Sequence, residues 1–150
     1  MIRVQREDFD VGAEIAALTR GKTGIGGVAS FIGLMRDFAG GSAIRAMTLE
    51  HYPGMTEREL ERIETEAQRR WPLLASLIIH RYGRLEPGER IVLVATASAH
   101  RAAAFESCEF LMDYLKTKAP FWKQEETPQG PRWVAAEASD DAAAARWTQD

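Results

Sequence analysis

Residues 90–123 read RIVLVATASAHRAAAFESCEFLMDYLKTKAPFWK. Ile91-Val92-Leu93-Val94-Ala95 carries no polar alternation, so it predicts a central strand buried on both faces. A long helix is predicted next, from about His100 to Thr117. Ala104, Phe105, Cys108, Leu111, Met112 and Leu115 keep helical spacing along it. Pro120 marks its end. Beyond it, Phe121–Glu126 and Arg132–Ala136 read as a hairpin around Pro128-Gln129-Gly130. On that first strand Phe121, Lys123 and Glu125 face one way, and Trp122, Gln124 and Glu126 the other. Upstream, Ser76–Tyr82 reads as a strand joined to Arg90–Ala97 by a turn at Pro87-Gly88.

The rest of the chain extends the same pattern. Ile2–Val4 reads as a short strand, and Asp10 as the cap of a helix from Val11 to about Arg20. Gly21 stops that helix, and Gly24, Gly26 and Gly27 make a loop. Val28–Met35 fits a buried strand, Asp37–Ser42 a mobile loop, and Ile44–Tyr52 a strand with Met47, Leu49 and His51 on one side. Thr56 and Glu59 form a Thr-x-x-Glu capping box for a helix that turns Leu60, Ile63 and Ala67 inward and stops at Pro72. Ser139 is the expected cap of a last short helix through Trp147, with Asp140 and Asp141 at its positive end. Strands come mostly in pairs between helices, so the fold class is α+β rather than a doubly wound sheet. The 150 residues carry no linker-like stretch or internal repeat, which predicts one domain over 1–150.

Composition narrows the function. Nineteen basic against 22 acidic residues leave a net charge of −3, which argues against a general nucleic-acid binder. One cysteine, Cys108, excludes an internal disulfide, a Cys-x-x-Cys pair and a cysteine-based zinc site. The longest uncharged apolar stretch, from Ile91 to Ala99, falls far short of the roughly 20 residues that span a bilayer. Met1–Phe9 holds Arg3, Arg6, Glu7 and Asp8 and no apolar core, unlike a signal peptide, so the expected location is the cytoplasm.

Several chemical motifs fail on inspection. Gly21-Lys22-Thr23 suggests a phosphate loop, but the required earlier glycine is Ala16 and the motif follows a helix. His51, His80 and His100 lack i,i+4 spacing and neighbouring cysteine, so no metal is expected, and His51 and His80 read as strand histidines hydrogen-bonded in place. Cys108, on an apolar helix face, reads as an inert small hydrophobe.

The cations are more informative. Of the 19 basic residues 15 are arginine and four lysine, and Lys116, Lys118 and Lys123 fall within eight positions. Lys116 and Lys118 suit a solvated helix C-terminus. Yet a chain that uses arginine for ordinary surface charge concentrates lysine here. Lysine, unlike arginine, can shed its proton when buried or set beside other cations, and then act as base or nucleophile. His100-Arg101 stands where strand gives way to helix, a position whose backbone N–H groups suit an anion. Arg36 ends an early strand beside a glycine-containing loop.

Three segments carry a family resemblance: Leu49-Glu50-His51-Tyr52-Pro53-Gly54-Met55-Thr56, Ser98-Ala99-His100-Arg101, and Met112-Asp113-Tyr114-Leu115-Lys116-Thr117-Lys118-Ala119-Pro120-Phe121-Trp122-Lys123. Together they resemble the catalytic, large subunit of molybdopterin synthase, over about Phe9 to Trp147. The resemblance implies a sulfurtransferase of molybdenum cofactor biosynthesis, which inserts two sulfurs into cyclic pyranopterin monophosphate to make the molybdopterin dithiolene. Sulfur would come from the C-terminal Gly-Gly thiocarboxylate of a small ubiquitin-like carrier. A homodimer of the large subunit would bind one carrier at each end, as a heterotetramer. The implied fold is an α/β hammerhead with an additional small antiparallel sheet. No cofactor, metal, nucleic acid or membrane is implied.

Residue by residue, the resemblance makes Lys116 and Lys123 both catalytic and substrate-binding. It makes His100 and Arg101 an anion contact, and adds Leu34, Met35, Arg36, Gln124 and Glu125 to the substrate site. Relatives often carry asparagine after the early arginine; here it is Asp37, whose carboxylate would repel a phosphate. The chemistry fits the composition: two anionic reactants need cationic receptors in an acidic protein, and without a suitable thiol the sulfur must come from outside. Two other readings differ in class. One is a non-catalytic module holding a partner's C-terminal tail in a basic groove. The other is a small hydrolase with His100 as base, for which no serine or aspartate spacing exists.

Overall fold

The computed structural model describes residues 1–39, 41–134 and 138–148. In chain order the elements are β1 (Ile2–Gln5), α1 (Val11–Thr19), β2 (Gly27–Leu34), β3 (Phe38–Ala39), β4 (Ser42–Ala43), β5 (Ala46–His51) and α2 (Met55–Arg70). Then follow β6 (Leu73–Arg81), β7 (Gly83–Leu85), β8 (Arg90–Ser98), α3 (Arg101–Lys118), β9 (Phe121–Thr127), β10 (Gly130–Val134), α4 (Ala138–Ala145) and a 3-10 turn, Arg146–Thr148.

The larger sheet has the order β1-β6-β8-β2. Only β1 runs parallel to its neighbour; β6, β8 and β2 are antiparallel. The unbroken apolar run puts β8 inside the sheet, and the period of two then divides its side chains. Val92 and Val94 join Ile78, Leu60, Ile63, Phe110 and Leu111 under α2 and α3. Leu93 and Ala95 join Leu77, Ile79 and Phe9 under α1. A second, antiparallel sheet of order β10-β9-β5-β7 stands beside it, with Met47, Leu49 and Leu85 in a small core of its own. The architecture is α+β with an additional small antiparallel sheet.

The strand expected to be buried at Val28–Met35 forms as β2, but at the sheet edge with Val28, Phe31 and Leu34 exposed. Four further expectations are corrected. Phe105 is 66% exposed, while Phe110, absent from the expected apolar stripe, is fully buried. The inward face of α3 turns the other way from its Ala104–Cys108–Leu111–Leu115 axis, toward Ser107, Phe110 and Tyr114. Phe110 meets Trp71, Tyr114 and Trp147 there, so the side on which α2 and the C-terminal turn pack decides the face. Second, α2 starts earlier: Gly54, at φ 85°, is its N-cap, and the Glu57 carboxylate accepts the Gly54 N–H at 2.6 Å. Thr56 is buried in the first turn and hydrogen-bonds Tyr52, and Glu59 pairs with Arg62. Third, Ser139 lies inside α4 rather than before it. Fourth, the segment expected as a loop after Asp37 pairs as β3 and β4 on either side of Gly40-Gly41, of which Gly40 lies outside the described residues. Ala135 and Ala136, expected at the end of the last strand, also lie outside them.

Candidate active site

The chain brings two lysines together by breaking a helix. Lys116 occupies the last turn of α3, and Ala119 leaves the helical region at ψ 135° ahead of Pro120. With no N–H to donate and an unfavourable fit after a helical residue, Pro120 ends the helix, and β9 starts at Phe121. β9 pairs with β5 so that Phe121, Lys123 and Glu125 lie opposite His51, Leu49 and Met47. The strand period puts these alternate positions on one face.

The third wall comes from the end of β2. Its register with β8 shifts between Gly33 and Leu34, and the chain turns out of the sheet there. Backbone bonds hold the turned segment: Met35 N–H donates to the Glu89 carbonyl at 2.9 Å, and Gly88 N–H to the Met35 carbonyl at 2.8 Å. Leu34, Met35 and Arg36 thereby face Lys116 and Lys123 across a pocket of about 340 Å³, which Glu125 also lines. That volume suits one small organic ligand. A depression at Asp8–Gly12 holds Arg90 paired with Asp8 at 2.7 Å and brings no second basic residue to its lining.

Charge in the pocket is mixed but organised. Glu125 is buried, and its carboxylate accepts from Arg132 Nη2 at 2.9 Å. Arg132 stands directly opposite Glu125 on β10 and offsets the negative charge. Asp140, from α4, also lines the cavity.

The other expected site residues lie elsewhere. Gln124, opposite Trp133 on β10, is not among the lining residues. His100 caps α3 and Arg101 is its first residue; both are exposed. Fifteen residues at 1.5 Å each place Arg101 about 22 Å from Lys116 along the helix. Asp37 does not line the pocket either.

The pocket also holds residues the sequence did not single out. Trp122 lines it while its ring lies 4.7 Å from Tyr52. Met47, Ile44 and Ile91 give it an apolar side. Next to it, His80 of β6 is buried, and its ring stacks on Phe121 at 3.8 Å and 18°. Its Nδ1–H donates to the Arg81 carbonyl at 2.8 Å. Burial first, and then the charges of Lys123 and Lys116, push the His80 pKa down to about 3 against the opposing Arg81 bond, so the ring is neutral. His51 is likewise anchored, through Nδ1 to Thr56 Oγ1 at 3.0 Å. Thr56 spends its own proton on the Tyr52 carbonyl, so His51 Nδ1–H is the donor. Both strand histidines are thus hydrogen-bonded in place. Only their placement beside Phe121 makes them neighbours of the site, and no residue spacing announces that. Cys108 is buried, and burial pushes its thiol up to about 11, away from the reactive thiolate range.

Comparison with known proteins gives a consistent answer. The family model described as MoaE protein matches residues 4–118. The chain is 60% identical over 146 residues to the molybdopterin synthase catalytic subunit of Ralstonia nicotianae, covering 97% of this chain and 83% of that one. It is 59% identical over 148 residues to the subunit of the same name from Pseudomonas aeruginosa, covering 99% of each. Among solved structures, the molybdopterin biosynthesis MoaE protein from Burkholderia ambifaria superposes with a TM-score of 0.85 at 56% identity, covering 100% of this chain and 99% of that one.

Proposed function

The chain belongs to the MoaE family of molybdopterin synthase catalytic subunits, and from that premise we propose that it transfers two sulfurs from a carrier's C-terminal thiocarboxylate to cyclic pyranopterin monophosphate, forming the molybdopterin dithiolene. One observation carries this reading: Lys116 and Lys123, on either side of Pro120, meet Arg36 in one pocket with an apolar wall. Cations receive the substrate phosphate and the carrier's terminal anion. The apolar side accommodates the flat heterocycle and keeps water from the sulfur. A lysine amine at the reacting carbons can move protons or form a transient adduct. With its thiol buried and held protonated, Cys108 is unsuited to relay sulfur, so sulfur arrives on the partner.

We assign Leu34, Met35, Arg36 and Glu125 to the substrate pocket of the same chain. His100 and Arg101 join it from a second copy, because a rigid helix holds them about 22 Å from Lys116 of their own chain. Among the described residues the outer edge of β2 is unpaired, and Val28 and Phe31 on that strand and Phe105 on α3 expose apolar side chains, as a homodimer contact would require. A single domain of residues 1–150 carries these surfaces, and a carrier at each pocket completes a heterotetramer. Among the described residues no helix is long and apolar enough to cross a membrane, and the cytoplasm is the compartment we assign.

The deciding experiment mixes this chain, a thiocarboxylated carrier and cyclic pyranopterin monophosphate, and weighs the product by mass spectrometry. Gain of two sulfurs is the expected outcome; a substrate of unchanged mass, with the carrier bound, would leave only a tail-binding module.

A further inference from the structure

His80 has no part in the chemistry just described, yet it is buried beside the pocket, hydrogen-bonded to backbone and stacked on Phe121. It lies on the α2/α3 face of β6, two residues from Ile78 of the main core, and its position pairs with Val92 of β8. Phe121, on which its ring stacks, belongs to the other sheet. The contact is therefore a joint between the rigid central sheet and the strand that carries Lys123. Phe121 sits three residues after the end of α3 and two before Lys123, on the same face of β9 as that lysine. A displacement of Phe121 moves β9 against α3, and with it Lys123 against Lys116.

The ring type suits this place. A cationic side chain would be repelled by the two lysines, and burial disfavours a charge of either sign there. A purely aliphatic side chain would offer no flat face for Phe121 and no donor for the buried Arg81 carbonyl. A neutral imidazole held through Nδ1 satisfies all three demands, and its tautomer is set by the backbone acceptor.

We propose that His80 is a positioning residue for the lysine pair: anchored on the Arg81 carbonyl, its ring holds Phe121 and so sets Lys123 against Lys116. The proposal rests on the sulfur-transfer reading above. A loose β9 would keep the contacts made by Leu34, Met35 and Arg36 while spoiling the geometry of the reacting step. That effect falls on kcat rather than KM.

The test compares His80→Leu, His80→Phe, Phe121→Leu and the double variant His80→Leu/Phe121→Leu in the reconstituted reaction. His80→Leu should lower kcat on the order of ten- to hundredfold, with KM and carrier affinity within about twofold. His80→Phe keeps the flat face but leaves the Arg81 carbonyl without its donor, so its kcat should fall between those of His80→Leu and the unmodified chain. The double variant should be no slower than the slower single one, since both act through one contact. An unchanged kcat in His80→Leu, a His80→Phe variant as slow as His80→Leu, or losses that multiply in the double variant would each overturn the proposal. If His80→Leu does not fold, the His80→Phe result still decides.

A separate measurement does not depend on the reaction. 15N NMR of the imidazoles in the unliganded chain should show His80 protonated on Nδ1, with no titration between about pH 8 and 5. A His80 that titrates near its ordinary value would remove the buried stack. An unmodified chain that transfers no sulfur, with His80 as described, would sink the functional reading and leave this placement standing.

Discussion

The two ends of α3 carry the same kind of chemistry and have opposite surroundings. At the start, His100 and Arg101 are exposed, and neither lines the lysine pocket. At the end, Lys116 faces a pocket walled by β2, β5 and β9. A helix is a rigid spacer, so groups 15 residues apart on it cannot converge within one chain. Cations that a sequence pattern groups together are thus divided into a concave set that lines a pocket and an exposed set that we propose joins the pocket of a second copy.

The largest test of the concave end is loss of Lys116. Lys116→Ala and Lys123→Ala should each lower turnover on the order of a hundredfold or more, with fold and carrier affinity retained. Lys116→Arg separates the roles, because a guanidinium keeps the charge and cannot release a proton. It should be nearly as slow as alanine; a near-normal rate at saturating carrier and substrate would reduce Lys116 to an anion contact.

The exposed end gives the next effect. Arg101→Ala should weaken substrate binding by about 1.5–3 kcal/mol, the range for a charge-assisted hydrogen bond. Mixing Lys116→Ala chains with Arg101→Ala chains should then restore activity, because each mixed dimer holds one site with both residues intact. Failure to complement in demonstrably mixed dimers, or a monomeric mass by light scattering, would end the two-chain site.

Between the two ends, His80 links stability to pH. Its folded pKa of about 3 lies below the ordinary 6.5, so the unfolded chain binds a proton that the folded chain refuses. The stability concerned is complete above about pH 6.5 and lost progressively as pH falls toward 3, amounting to roughly 1–2 kcal/mol between pH 6.5 and 5. Denaturant titrations of the unmodified chain and His80→Phe should diverge over that interval; parallel curves would mean that His80 is not buried as described. The smallest effect is expected at Cys108, midway along α3. Cys108→Ala should cost about 1 kcal/mol and leave turnover intact. Loss of turnover in the folded variant would revive a thiol relay.

Much of this architecture was legible in the chain because local rules and burial agree. Ile91–Ala95 reads as a strand buried on both faces and becomes the interior β8; Pro120 reads as a helix stop and starts the strand that bears Lys123. The misread face of α3 shows the limit. Ala104, Cys108, Leu111 and Leu115 define a stripe, but Phe105 and Phe110 flank it on opposite sides. Only the packing of Trp71 and Trp147 on one flank buries Phe110 and leaves Phe105 to solvent. The start of α2 shows another: a Thr-x-x-Glu pattern and a Gly-x-x-Glu pattern overlap, and the bonds of Thr56 to Tyr52 select the second.

For the site, the amino-acid sequence by itself determined which groups are at hand: a lysine cluster in an otherwise arginine-rich acidic chain, one thiol on an apolar helix face, and cations at both ends of one helix. Those are properties of composition and of period along one element, and they need no knowledge of distant partners. Tertiary structure alone decided which of them share a space. The turn of Leu34–Arg36 toward the lysines, the counter-charge of Arg132 on Glu125, the exclusion of Gln124 and the stack of His80 on Phe121 all depend on contacts between elements far apart in the chain. Such contacts follow from how two sheets and a helix end pack together, and no spacing within a single segment encodes that.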